Sequence, residues 1–567
     1  MARSAIRPIL ALLLMLSLFG AESAQARAKR VLVVVGAQPG HTRAAERLVE
    51  RLGGTVEGRL AIVHGFTARV PAGAIERLRG TRTIQTVARD VTLHLSTDAP
   101  LDASGDPAFR PIDPPPAEIP TDAPAEEVAD DVIADAAVDA SAGSSLAPDP
   151  VASGEDAVQD AAADPVAPVA LAADDAPARA RASMDLVRAA AGVEGGDLTG
   201  AGVDVALIDS GALGVAALDG PGKLVRGPDF SADAFDDDLR GLDAFGHGSH
   251  MAGVIAGADP ETGFEGIAPG ARIVSVKVAG AGGVTSLVRV LMALDWVRDN
   301  RSADGLDIRV LNLSLGVDLR RPYVREPLAY AAEQLWNRGV AVVAAAGNQA
   351  DGTGRLDLPA ADPFVIAVGA TDTRYTADAA DDGVADFSSH DAVRPPDVVA
   401  PGTGIISLRV PGSTLDEEFP AARIGDRFFR GSGTSQAAAV VSGMVALLLE
   451  ARPDLTPDQV KALLRGGAVD LPAADVAADG AGRANLARTL ALATPTPAAA
   501  AQPFQPAVLD LLALWAALND EATGAAPLVG TGENGWTGRS WSGRSWSGRS
   551  WSGRSWSGSD WSGEGGG

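Results

Sequence analysis

The chain has 567 residues, no cysteine and a formal net charge of −26. Without cysteine no disulfide can stabilise it, and at this length a hydrophobic core suffices. Most of that charge sits in one linker, so the overall balance says little about partners; no nucleic-acid partner is expected.

In residues 1–26, Arg3 and Arg7 precede an apolar run over 9–19 and the small-residue site Ala24-Gln25-Ala26. That pattern describes a secretory signal peptide cut after Ala26, and its apolar run is too short for a transmembrane anchor. Export is therefore expected. Residues 27–95 read as a compact unit: a strand over 31–35, an amphipathic helix over 42–52, a strand pair around 60–70, a helix over 72–78 and a final strand over 83–95. The order β-α-β-β-α-β is the ferredoxin-like split motif.

Residues 96–180 form a linker of Ala, Asp, Pro, Val and Ser. Over 96–178 there are 19 Asp or Glu against Arg110 alone, a net −18 that accounts for most of the whole chain's charge. High like charge with few aromatics cannot offset ordering entropy, so this stretch is expected to be disordered.

Within residues 181–490, strands are expected over 272–278, 308–313 and 340–344, and helices over 284–299 and 323–336. This alternation indicates an α/β domain. Three short segments there carry chemistry: Asp209-Ser210-Gly211 after the apolar run 203–208, His247-Gly248-Ser249-His250 at a Gly-flanked helix start, and Gly433-Thr434-Ser435 before the apolar run 437–449. Taken singly, Asp209 is a turn residue, His247 a structural histidine and Ser435 a helix N-cap. Together they supply an acid, a base and a nucleophile. A serine hydroxyl needs an imidazole to take its proton, and the imidazole needs a carboxylate to fix its tautomer.

The order Asp–His–Ser and the surrounding residues resemble the subtilisin-like serine proteases (subtilases). Val205-Ala206-Leu207-Ile208-Asp209-Ser210-Gly211, His247-Gly248-Ser249-His250-Met251-Ala252-Gly253 and Gly433-Thr434-Ser435 match that family's three motifs over roughly residues 185–470. The resemblance implies a doubly wound, mostly parallel sheet with helices on both faces. It also implies peptide hydrolysis through an acyl-enzyme on Ser435, with His247 as general base and acid and Asp209 as orienting acid. His250 corresponds to a second, non-catalytic histidine. Asn348, ending Ala345-Ala346-Gly347-Asn348, corresponds to the oxyanion donor. Ser314, Leu315 and Gly316 lie in the segment that lines the substrate cleft as a strand edge. Ser249 stands for a usual Thr, Gln436 for a common Met and Ala439 for a usual Pro; none removes a catalytic group.

The same resemblance makes residues 27–95 an inhibitory propeptide, so the chain's own N-terminal unit is expected as an intramolecular partner beside polypeptide substrates. Maturation cleavage is placed near Leu95, near Arg179-Ala180-Arg181, or at both. No cofactor is needed for the chemistry and no metal ligand is assigned. Structural calcium is common in the family, and 259–263 falls near a loop that binds it in some members, but no ligand set is legible. A monomer is expected.

Residues 491–535 are an Ala/Pro linker with a short apolar helix over 507–518, interrupted by Asp510. In the tail, 536–567, Trp536, Trp541, Trp546, Trp551, Trp556 and Trp561 recur every five residues with Arg539, Arg544, Arg549 and Arg554 between them. A period of five fits neither helix nor strand. Trp and Arg in Gly/Ser context read first as a flexible low-complexity tail with no specific ligand, and they also suit multivalent stacking and cation–π contact with cell envelope or glycan. The alternative function is a cell-surface binding protein whose protease domain serves only self-processing or is inactive.

Overall fold

The computed structural model describes residues 30–95, 175–193, 196–316, 326–349, 355–391, 394–471 and 476–496. The expected signal peptide, nearly all of the acidic linker, the 507–518 segment and the Trp/Arg tail lie outside them.

The N-terminal unit comprises β1 (Arg30–Ala37), α1 (Thr42–Arg51), β2 (Thr55–Leu60), a 3-10 turn (Ala61–Val63), β3 (Gly65–Pro71), α2 (Ile75–Arg79) and β4 (Ile84–Arg89). Its strands form an antiparallel sheet in the order β2-β3-β1-β4. Helix α1 places Ala45 and Val49 four residues apart on one face, beneath Val33, Val35, Phe66, Ile75 and Leu78, so the unit has a core of its own.

The expected strand over 83–95 is broken. After β4 the Asp90 N–H still bonds to the Leu32 carbonyl at 3.0 Å, but β5 (Thr92–Leu95) leaves this sheet and joins another. The break follows from what Asp90 does with its side chain, described below.

The larger unit contains α3 (Ala176–Ala190), β6 (Asp204–Asp209), β7 (Leu224–Asp229), α4 (His247–Ala256), β8 (Ala258–Asp259), β9 (Phe264–Glu265), β10 (Arg272–Lys277), β11 (Val284–Ser286), α5 (Leu287–Asn300), β12 (Ile308–Leu313), β13 (Leu315–Gly316), α6 (Pro327–Trp336), β14 (Ala341–Ala345), β15 (Ile366–Asp372), β16 (Gly383–Val384), β17 (Val398–Pro401), α7 (Thr434–Ala451) and α8 (Pro457–Gly466). Its main sheet has eight strands in the order β16-β15-β14-β12-β6-β10-β7, with β17 also on β15. All pairs are parallel except β15–β16.

The central strands, such as β6 and β14, are buried at every position, which explains the apolar runs 205–208 and 341–345. Helices α4 and α7 pack on each other and on the sheet, and α5 and α6 form a second packed pair against it. Helix α7 is long and apolar enough to cross a membrane, but nearly all of it is enclosed by the core.

Two element boundaries differ from expectation. Residues 284–286 form strand β11 rather than the first turn of a helix, which begins at Leu287. Helix α3 begins at Ala176, with Asp175 Oδ1 accepting from the Ala178 N–H at 3.1 Å, so the expected boundary at 181 falls inside a helix.

Helix α5 joins the two units by reciprocal capping. No side chain of its own caps its start at Ser286. Instead Asp90 Oδ1 accepts from the Val288 N–H at 3.0 Å, and the Val91 carbonyl accepts from the Leu287 N–H at 3.0 Å. In return Asp295 of α5 accepts from the Ile62 N–H at 2.6 Å and the Ala61 N–H at 3.4 Å. Each carboxylate satisfies amides left open at the start of the partner's helix or turn.

Candidate active site

The buried strand β6 ends at Asp209, and α4 begins at His247, so sheet and helix hold the two side chains face to face. His247 Nδ1 lies 2.8 Å from Asp209 Oδ1 and 3.0 Å from Oδ2, and both residues are buried. A carboxylate only accepts, so the proton sits on Nδ1 and leaves Nε2 as the basic lone pair. Nε2 is buried and has no hydrogen-bond partner among the described residues. Gly248 must be glycine, because a Cβ there would stand 1.9 Å from the Gly211 carbonyl oxygen and 3.2 Å from Asp209 Cβ.

A residue absent from the sequence-based site holds this pair. Asp243, buried, accepts from the Gly246 N–H at 2.8 Å, the Ser249 N–H at 2.7 Å and Ser210 Oγ at 2.7 Å. Ser210 Oγ in turn accepts from the Gly248 N–H at 2.9 Å, and the Ser210 N–H donates to Asp209 Oδ1 at 2.7 Å. Asp243 therefore caps α4 and ties it to the end of β6. The available signal was an acid four residues ahead of His247, at the start of a helix that carries no capping side chain at Gly246. Ser249 keeps the function of a hydroxyl there, accepting from the Leu213 N–H at 3.0 Å.

Ser435 is the second residue of α7, and the cap position is Gly433, so the serine is not an N-cap. It is fully buried, and its Oγ donates to the Ser314 carbonyl at 3.4 Å. Beneath it runs a buried polar string: Ser442 Oγ donates to Asn312 Oδ1 at 2.8 Å, Asn312 Nδ2 to Ser314 Oγ at 2.8 Å, and Ser314 Oγ to the Ser435 carbonyl at 3.3 Å. A lone Asn inside the apolar run Val310-Leu311-Asn312-Leu313 was the sequence signal for it. The string joins the end of β12 to the first turns of α7 and sets the depth of Ser435.

Asn348 follows β14. Its Oδ1 accepts from the Thr434 N–H at 2.8 Å and from Thr434 Oγ1 at 2.9 Å, which orients the amide with its NH₂ group on the opposite side. Thr434 Oγ1 also accepts from the Gly347 N–H at 3.1 Å. The Ser435 N–H lies in the first turn of α7, where amides have no intrahelical acceptor.

The strand edge formed by Leu315 and Gly316 is occupied by the chain itself. β5 lies between β11 and β13, antiparallel to both, with Leu95 opposite Leu315, His94 opposite Gly316 and Val284, and Leu93 opposite Thr285. The Leu95 N–H donates to the Gly283 carbonyl at 3.2 Å.

His250 is buried beside His247; burial and the neighbouring imidazole hold its pKa at about 3, so it stays neutral. In the loop 259–263 the acidic side chains meet protein partners. Asp259 Oδ2 is taken by Arg427 Nη2 at 2.6 Å and Thr262 Oγ1 at 2.7 Å, and Glu261 by Arg427 Nη1 at 2.9 Å. Among the described residues no group of three His, Cys, Asp or Glu could hold a metal.

An Asp–His pair at the end of a sheet strand, and an asparagine held against the residue before a helix-start serine, are parts that one class of serine hydrolases uses. The subtilase family model matches residues 200–488. "Serine protease AprX" of Bacillus subtilis (strain 168) is 38% identical over 282 residues, covering 48% of this chain and 62% of that protein. "Subtilisin Savinase" of Lederbergia lenta is 34% identical over 274 residues, covering 48% of this chain and 86% of that protein. The chain thus spans less than two thirds of the length of AprX. The crystal structure of fervidolysin from Fervidobacterium pennivorans, "a keratinolytic enzyme related to subtilisin", shares the fold with a TM-score of 0.55 at 20% identity, over 83% of this chain and 62% of that one. The chain belongs to the subtilase family.

Proposed function

We propose that this chain is the autoinhibited precursor of a secreted serine endopeptidase. The observation that carries the reading is β5, seated between β11 and β13 as an extended peptide would be and running toward Ser314, whose carbonyl Ser435 Oγ touches. Main-chain pairing on a strand edge suits an enzyme that grips extended polypeptides of varied sequence.

In this reading Ser435 Oγ turns from the Ser314 carbonyl toward His247 Nε2, loses its proton to it and attacks the scissile carbonyl carbon. Asn348 Nδ2 and the Ser435 N–H donate to the oxyanion, and Asp209 stabilises the imidazolium through Nδ1. The imidazolium then protonates the leaving amine. Water, deprotonated by His247, cleaves the acyl-enzyme ester and restores Ser435.

The N-terminal unit is assigned as the inhibitory propeptide with a ferredoxin-like fold. Its β-α-β-β-α-β order, its sheet order and its capping bonds to α5 support that assignment. Release requires a cut after β5. A cut at Arg179-Ala180-Arg181 is disfavoured, because that site lies in α3, with Ala180 and Met184 buried, and a helix cannot enter an extended cleft. Export rests on the signal-like residues 1–26.

A serine-directed fluorophosphonate probe tests the chemistry. The matured wild-type protein should be labelled on the peptide bearing Ser435, and His247→Ala should abolish labelling. Equal labelling of both, or none of wild type, would overturn the mechanism.

A further inference from the structure

One buried carboxylate near Gly316 and Gly347 has no part in the chemistry above. Asp357 is only 7% exposed and lies in the loop that leads toward β15. Its backbone is fixed, with its N–H donating to the Ala346 carbonyl at 2.9 Å and its own carbonyl accepting from the Ala361 N–H at 2.8 Å. Its side chain stands between two glycines. A Cβ on Gly316 would meet Asp357 Cβ at 2.7 Å and Oδ2 at 2.8 Å; a Cβ on Gly347 would meet Oδ2 at 2.6 Å. Gly316 belongs to the peptide-pairing edge, and Gly347 directly precedes Asn348. The carboxylate therefore sits between the two backbone segments that flank the reacting centre.

The register of β5 says which substrate residue faces this gap. With Leu95 opposite Leu315 in an antiparallel pair, a peptide bound in the same way brings its next residue opposite Ser314, the residue that Ser435 Oγ touches. That residue precedes the bond to be cut. Directly opposite residues of an antiparallel pair point to one face, and side chains two apart on a strand share it. The residue opposite Ser314 thus points to the face on which a Gly316 side chain would run into Asp357.

We propose that Asp357 is the specificity-determining residue of this site and selects substrates with Lys or Arg immediately before the cleaved bond. The proposal rests on the endopeptidase reading above. Neither Gly316 nor Gly347 carries a side chain to cover the Asp357 carboxylate, and a carboxylate in that position favours a cation over an apolar residue, as in trypsin-like sites.

The test uses matured wild type, Asp357→Asn and Asp357→Glu on four tetrapeptide anilides that differ only in Lys, Arg, Phe or Leu before the scissile bond. Wild type should show kcat/KM for Lys and Arg at least about tenfold above Phe and Leu, and benzamidine should inhibit it. Asp357→Asn should lose about 100-fold on the basic substrates and little on the apolar ones, and should lose benzamidine inhibition. Asp357→Glu, which keeps the charge, should still prefer Lys or Arg, which excludes loss of fold as the cause. A wild type that prefers Phe or Leu, or an Asp357→Asn that slows all four substrates alike, overturns the proposal and leaves the protease reading standing. Failure on all four substrates and on casein, with no fluorophosphonate labelling, overturns both.

Discussion

At the scale of single residues, Asn348 and Asp243 separate chemistry from positioning. Asn348 is oriented by Thr434 through its carbonyl oxygen, so its amide donor is preset before substrate arrives. Asn348→Ala should lower kcat by about 10²–10³ with KM little changed; that magnitude is carried over from a subtilisin asparagine in this role rather than calculated from this geometry. A matched fall in affinity with kcat intact would contradict the assignment. Asp243 touches no substrate. Replacing it with Ala orphans the Gly246 and Ser249 amides in a buried setting and leaves the Ser210 hydroxyl only its longer bond to Asp209 Oδ1, which should cost about 2–4 kcal/mol. Urea unfolding of Asp243→Ala in a Ser435→Ala background, where self-cleavage is silent, measures that loss. A change under about 0.5 kcal/mol would contradict the capping role.

At the scale of elements, β5 and α5 form the coupling between the two units. Asp90 caps α5 while its neighbours enter β5, so the cap and the strand proposed to inhibit are anchored together. In the Ser435→Ala chain, Asp90→Ala should speed hydrogen exchange of the amides of 91–95 by about five- to tenfold, the loss of one charge-assisted bond. Unchanged protection would mean that the strand holds without the cap. This coupling was the part least legible in the sequence. The strands and helices of the main sheet showed as long apolar runs, and Asp209, His247, Asn348 and Ser435 stood at the ends of such runs beside glycines. The run 83–95, however, carries no turn residue strong enough to mark its break, because the break is imposed by a helix start some 200 residues away. Asp243 and Asn312 gave only weak signals for a similar reason: each also has a hydroxyl partner, Ser210 and Ser442, that only the fold brings near.

At the scale of the whole molecule, a buried ion cluster beneath β15 and β17 is one of the places that tie stability to pH, beside Asp416 with Arg409 and Arg423. Asp397 Oδ2 meets Arg394 at 3.0 Å, Lys461 of α8 at 2.8 Å and the Ala367 N–H at 2.9 Å, and Oδ1 meets Arg465 at 3.1 Å. Burial alone would raise the Asp397 pKa, but Arg394, Lys461 and Arg465 hold it at about 2. The folded value lies below the unfolded value of about 4, so the contribution is complete above about pH 4 and lost as pH falls through about 2. Lys461 and Asp362, both moved to about 7 chiefly by burial, titrate outside that window. The denaturation midpoint of the Ser435→Ala chain should fall between pH 4 and pH 2. Asp397→Asn should flatten that fall and cost about 3–5 kcal/mol at neutral pH, because Arg394, Arg465 and the protonated fraction of Lys461 lose their counter-charge. An unchanged acid limb in Asp397→Asn would remove the cluster from the account.

The central claim is that one chain carries both a serine peptidase and the strand that blocks it. The most direct measurement is intact mass and casein hydrolysis of the chain expressed from Arg27, beside its Ser435→Ala variant. The account predicts that wild type cuts itself beyond β5 and then hydrolyses casein, while Ser435→Ala stays full length and inactive. A wild type that remains full length and inert, even after a trace of added protease has removed the N-terminal unit, would contradict it.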